Sequence, residues 1–129
     1  MAAKPQILLV DDDLGLQKIY GKRLELGGYE VVAVLNGEEA LERVKQNPPA
    51  LIILDIMLPK LNGYEVCTRL KQDPATKQIP VILFTAKGEP QQQLAGLMLG
   101  ANAYLSKNCE SEALLEQVKS LLAKVTPQR

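Results

Sequence analysis

Five short apolar runs recur along the chain, each closing on a polar residue or a turn signal. They are Ile7-Leu8-Leu9-Val10, Val31-Val32-Ala33-Val34, Leu51-Ile52-Ile53-Leu54, Val81-Ile82-Leu83-Phe84 and Ala103-Tyr104-Leu105. Their length and β-branched content predict strands. The first, third and fourth lack polar alternation, as expected of strands covered on both faces. Stretches with helical spacing lie between them. Leu16, Ile19, Tyr20 and Leu24 predict the inner face of a first helix, which Gly27-Gly28 ends. Asn36 as N-cap, with Glu39 three residues on, gives the second helix a capping-box pattern. Its inner face is Ala40, Leu41 and Val44, and Pro48-Pro49 stops it. Tyr64, Val66, Cys67 and Leu70 outline a third helix ending before Asp73-Pro74, and Leu94, Leu97 and Met98 a short fourth before Gly100. Leu114, Leu115, Val118, Leu121, Leu122 and Val125 form the clearest stripe, the fifth. Five strand–helix repeats predict an α/β fold, a parallel sheet with helices on both faces.

The length, 129 residues, suits one domain, and an apolar content of 47% with only 4% aromatics calls for an aliphatic core. Only the tail, Thr126-Pro127-Gln128-Arg129, reads as loose chain. Fifteen basic residues balance fifteen acidic ones, which argues against nucleic acid as the main partner. Cys67 and Cys109 match no CxxC pattern and read as reduced thiols. The short polar N-terminus fits neither a leader nor a membrane span, so a cytoplasmic protein is expected. Histidine is absent. That excludes a histidine-based nucleophile, a histidine-ligated metal and a phosphohistidine on this chain, leaving chemistry to carboxylates, lysine, threonine or tyrosine.

In such sheets, ligands bind at the carboxyl ends of the strands. The first strand ends in Asp11-Asp12-Asp13, the third in Asp55, the fourth in Thr85 and the fifth in Ser106-Lys107. Four of the five aspartates in the chain fall at two strand ends. Clustered carboxylates repel one another unless a cation sits among them, and hard oxygen donors suit Mg²⁺, or Mn²⁺, retaining several waters. With one divalent metal and Lys107, the carboxylates of Asp11, Asp12 and Asp55 reach neutrality. Such a pocket can accept a phosphoryl dianion, its charge stabilised by the metal and Lys107, with Thr85 as hydroxyl donor. Asp55, alone at the end of a central strand, is the candidate nucleophile for an aspartyl-phosphate. Asp13 suits either this acidic set or the N-cap of the first helix.

These motifs resemble the receiver domain of response regulators, the phospho-accepting half of bacterial two-component signalling and, as a single domain, its chemotaxis-regulator type. The resemblance rests on Ile7-Leu-Leu-Val-Asp-Asp-Asp13, Leu51-Ile-Ile-Leu-Asp-Ile-Met-Leu-Pro-Lys-Leu-Asn-Gly63, Val81-Ile-Leu-Phe-Thr-Ala86 and Gly100-Ala-Asn-Ala-Tyr-Leu-Ser-Lys107. It covers residues 5–124 as the domain and leaves 125–129 as a tail. It implies a (βα)5 flavodoxin-like, doubly wound sheet in strand order 2-1-3-4-5. Asp55 would be the phosphorylated residue, not a turnover enzyme's catalyst but a phosphorelay acceptor. Asp12 and Asp55 would ligate Mg²⁺, Asp11 would hold metal-bound water and the Met57 carbonyl would complete the set. Lys107 and Thr85 would hold phosphoryl oxygens, and Tyr104 would turn inward when Thr85 moves. The donor would be a histidine kinase or a phosphotransfer protein. A downstream protein would read the fourth helix, fifth strand and fifth helix, residues 89–124, with a phosphorylation-dependent dimer also open. No DNA-binding or catalytic output domain is expected on the chain. The family usually follows the lysine with proline, often cis, where this chain has Asn108. The loop is then either trans and reshaped or held in a strained cis bond.

Three other readings are weaker. A haloacid-dehalogenase-like phosphatase would use Asp11-Asp12-Asp13 as nucleophile and acid but leave Asp55 idle. A flavodoxin-like FMN carrier would place three carboxylates against a phosphate. A receiver acting as an interaction module without phosphorylation leaves the full acidic set unexplained.

Overall fold

The computed structural model describes residues 4–58, 61–85, 100–107 and 111–125. Its five strands are β1 (Gln6–Val10), β2 (Glu30–Val34), β3 (Leu51–Leu54), β4 (Val81–Thr85) and β5 (Ala103–Ser106). They form one sheet in the order β2-β1-β3-β4-β5, all pairs parallel. The four described helices are α1 (Leu14–Leu26), α2 (Gly37–Gln46), α3 (Gly63–Gln72) and α4 (Ser111–Val125). The helix expected around Leu94, Leu97 and Met98 lies outside the described residues, as do Asn108, Cys109 and the tail from Thr126. No described helix is long and apolar enough to cross a membrane.

Two apolar layers sandwich the sheet. Leu8, Val10, Ile52, Leu54, Val81 and Leu83 point to the side covered by α2 and α3, where Ala40, Val44, Val66 and Leu70 meet them. Ile7, Leu9, Leu51, Ile53, Ile82 and Phe84 point to the opposite side, against Leu24 of α1 and Leu114, Val118 and Leu121 of α4. Adjacent residues of β1 and β3 therefore serve different layers, and these strands needed no polar alternation. The sheet ends β1 and β3 side by side, with Val10 opposite Leu54, so Asp11 and Asp55 emerge together.

The inner face of α1 differs from the periodic reading. Its buried positions are Gln17, Gly21 and Leu24, whereas Ile19 is 49% exposed. A glutamine and a glycine, both poor markers of a core face, occupy two inward positions, so the apolar pattern erred at Ile19 while Leu24 and Tyr20 do face the core. At α2, the Asn36 side chain accepts from the Glu39 amide as expected. The returning Glu39 carboxylate, however, takes the backbone amide of Leu35 and the side-chain amide of Asn36 rather than the Asn36 backbone amide. The complete capping box belongs to α3: Asn62 Oδ1 accepts from Glu65 N, and Glu65 Oε1 from Asn62 N.

Candidate functional site

The site is built at the carboxyl ends of β1, β3 and β5. Asp11 continues β1, its amide donating to Val34 O, and Asp55 continues β3, its amide donating to Val10 O. Both carboxylates are buried. Asp11 Oδ1 accepts the amide of Asp13 at 2.9 Å, and Asp55 Oδ1 that of Met57 at 3.2 Å. Each acid is thus held by the chain turning away from its strand. Asp13 is the N-cap of α1, its Oδ1 accepting from Leu16 N, so it points into the helix.

Lys107 reaches back from the end of β5. Its Nζ donates to Asp11 Oδ2 at 2.7 Å and to Asp55 Oδ2 at 3.1 Å, with only 10% of the lysine side chain exposed. Carboxylate oxygens of Asp11, Asp12 and Asp55 all lie within 4.8 Å of one another, and Asp12 is exposed. The cluster could hold a metal ion on one side while Lys107 closes the other. Hard oxygen donors, one open to water, fit a small divalent cation that keeps part of its hydration shell. Three carboxylates against one ammonium leave a net negative pocket, which such a cation would neutralise.

Burial pushes the Asp55 carboxyl above its ordinary value; the charge and hydrogen bond of Lys107 and the Met57 amide pull it down, and Asp11 adds to the rise. For Lys107, burial alone would lower the ammonium. The hydrogen bond to Asp11, the charges of Asp55 and Asp11 and the hydrogen bond to Asp55 outweigh it, leaving the group above its ordinary value. The lysine stays charged between the two acids.

The other sequence candidates are close by. Thr85 ends β4 and pairs with Ser106 of β5, one residue before Lys107. Met57, two residues beyond Asp55, is exposed at the mouth. Tyr104 on β5 is half-buried against the layer that includes Val10, Leu54 and Leu83. Two residues missed by sequence reasoning also meet the site. Gln17 Nε2 donates to Asp11 O at 2.8 Å and to Val34 O at 2.6 Å, and Tyr20 Oη donates to Lys107 O at 3.2 Å. An amide and a phenol on one helix next to the acidic run were the available signal.

A family model, the response regulator receiver domain, matches residues 7–119. The chain belongs to this family. Among curated relatives, the phosphate regulon transcriptional regulatory protein PhoB of Rhizobium meliloti (strain 1021) is 39% identical over 124 residues, 96% of this chain and 55% of its own length. The DNA-binding dual master transcriptional regulator RpaA of Synechocystis sp. is 39% identical over 118 residues, 92% of this chain and 49% of its own. The receiver thus spans about half the length of the curated relatives it matches. Among solved structures, the signal receiver domain of a signal transduction histidine kinase from Syntrophus aciditrophicus superposes with a TM-score of 0.89. It is 34% identical, covering 97% of this chain and 95% of that one. The strand order 2-1-3-4-5 is that of these receivers.

Proposed function

We propose that this receiver takes a phosphoryl group from a histidine kinase or a phosphotransfer protein onto Asp55 and passes the change to a partner. The observation that carries the reading is the single ammonium of Lys107 bridging Asp11 and Asp55 beside a three-carboxylate cluster. Asp55 is the one acid of the cluster that stands alone at its strand end, and its Oδ1 is oriented by the Met57 amide.

In this reading Asp12, Asp55 and the Met57 carbonyl would hold Mg²⁺, or Mn²⁺, and Asp11 would take metal-bound water. When bound, the cation neutralises charge on the carboxylates and on the phosphoryl oxygens. An oxygen of Asp55 forms the new P–O bond as the donor's P–N bond breaks, and the bonding electrons leave with the donor imidazole. Lys107, already 3.1 Å from Asp55, moves its second hydrogen bond onto a phosphoryl oxygen while keeping Asp11. The Thr85 hydroxyl takes another oxygen, and Tyr104 packs inward behind it. Phosphorylation need favour one of two arrangements of residues 89–124 by only a few kcal/mol to redirect a partner. The domain proper is 5–124, working in the cytoplasm. The whole-length relatives are named as transcriptional regulators, so the partner or an output segment would act on transcription.

The experiment is phosphorylation by acetyl phosphate with Mg²⁺, followed by intact mass, alongside beryllofluoride titration by NMR. One added phosphoryl group on wild type and none on Asp55→Asn is expected. A wild type that forms no adduct overturns the reading in favour of an interaction module. An adduct that survives Asp55→Asn moves the acceptor elsewhere.

A further inference from the structure

Both members of the Asp11–Lys107 ion pair are gripped by the main chain from one side of α1, a helix that contributes no charged group to the pocket. Gln17 and Tyr20 stand three residues apart and so share a helix face. The Gln17 amide spends both its protons on carbonyls, those of Asp11 and Val34, at the ends of β1 and β2. That registers α1 against the strand bearing the acids. Gln17 is buried, so the two bonds replace water that cannot reach it.

One turn later, Tyr20 leans its ring edge-on against Phe84, with centroids 4.8 Å apart and planes at 87°. Phe84 is fully buried in β4, so the ring has a fixed floor. The hydroxyl then reaches the carbonyl of Lys107. This residue lies one step past Ser106, the last position of β5 paired with β4, so the ladder no longer fixes its main chain. The tyrosine supplies the tether where the sheet stops.

We propose that Tyr20 is a positioning residue for Lys107: carried by a helix locked to Asp11 through Gln17, it sets where the lysine main chain stands relative to the acids. The inference rests on Lys107 acting on the phosphoryl group as in the proposed function. A long, flexible side chain reaches its target fastest when its root is fixed, so the tether works on phosphoryl capture and not on the metal side of the cluster.

Tyr20→Phe tests this, because it keeps the ring on Phe84 and deletes only the hydroxyl. Two quantities are measured on the full chain: affinity for Mg²⁺ alone, by amide NMR, and the rate of phosphorylation by acetyl phosphate at saturating Mg²⁺. The variant is expected to phosphorylate about three- to tenfold more slowly, the range for loss of one hydrogen bond, with Mg²⁺ affinity unchanged. In a Lys107→Ala background the same substitution makes no further difference. A wild-type rate for Tyr20→Phe overturns the proposal. So does an equal slowing with Lys107 absent, or a matching loss of Mg²⁺ affinity, since either marks a general structural role. A wild type that takes no phosphoryl group overturns the functional reading itself, whereas a phosphorylated wild type with an indifferent Tyr20→Phe removes only the tether.

Discussion

Gly63 presses directly on the main chain of Asp55: a Cβ at this position would overlap the Asp55 carbonyl oxygen and stand 2.7 Å from the Ile56 Cα. The first residue of α3 is therefore packed against the acid that ends β3, and the Gly63 amide donates to Ile56 O at 2.9 Å. Gly63→Ala has to displace backbone, and overpacking of this kind costs about 1–3 kcal/mol. Reduced denaturant midpoint together with slower phosphorylation by acetyl phosphate is expected. Gly28→Ala is the control. Its φ of +102° strains any side chain, but open space surrounds it, so it loses about 1 kcal/mol with phosphorylation intact.

Asp55 has a pH signature in the metal-free protein. Its native carboxyl binds a proton above the ordinary value of 3.8 because it is buried. As pH falls through that raised value, the native state takes up the proton before the unfolded chain does. This group's contribution to stability therefore increases as pH falls, until the unfolded carboxyl also titrates near 3.8. At neutral pH the ionised carboxylate is held against its preference. Asp55→Asn keeps one oxygen, enough for either the Met57 amide or Lys107, removes the buried charge, and is expected to melt a few degrees higher than wild type at pH 7. The gain should shrink on acidification. Thermal melts from neutral to acid pH check both.

At the opposite end of the sheet, the Lys71 ammonium satisfies all three of its protons on Lys77 O, Ile79 O and Asn102 Oδ1, at 3.0, 2.7 and 3.0 Å. Asn102 Oδ1 also accepts the amide of Val81, tying the starts of β4 and β5 to α3. Lys71→Met leaves carbonyls without partners, at a cost of about 2–3 kcal/mol in urea unfolding. Asn102→Ala should overlap with it, the double variant losing less than the sum. Beryllofluoride affinity is expected to stay at the wild-type level in both.

Two residues of the predicted inner face of α1 give a direct comparison. Leu24 is fully buried and Ile19 is half-exposed on the same helix. Leu24→Ala is expected to cost about 2–4 kcal/mol, while Ile19→Lys stays within about 0.5 kcal/mol of wild type. Equilibrium unfolding of the two variants separates them.

Why α1 was only partly legible while the other described elements were legible is a matter of which residues carry the signal. β1, β3 and β4 are apolar on both faces, and that composition belongs to covered parallel strands. The acids at their ends were legible for the same reason: Asp11 and Asp55 break otherwise unbroken apolar runs. The fifth apolar stripe became α4, with Leu114, Val118 and Leu121 inward. Gln17 was not legible, because its burial depends on two carbonyls from different strands that only the assembled sheet brings within its reach. Tyr20 was read correctly as inward, but its hydroxyl partner lies 87 positions away. The α3 capping box was legible in principle, since Asn62 and Glu65 sit three residues apart at the start of the helix.

The ion pair between Lys107 and Asp11 joins residues 96 positions apart. About three quarters of the chain is thereby enclosed in one noncovalent loop whose clasp is the pocket itself. A ligand that grips both ends of that clasp holds the first strand to the last, and so acts as a removable cross-link on the native state. Its binding free energy adds to the work of unfolding by mass action, and its release returns it. Under the proposed function, a phosphoryl group on Asp55 that pairs with Lys107 would tighten the same clasp, so the phosphorylated chain is expected to resist unfolding more than the free one.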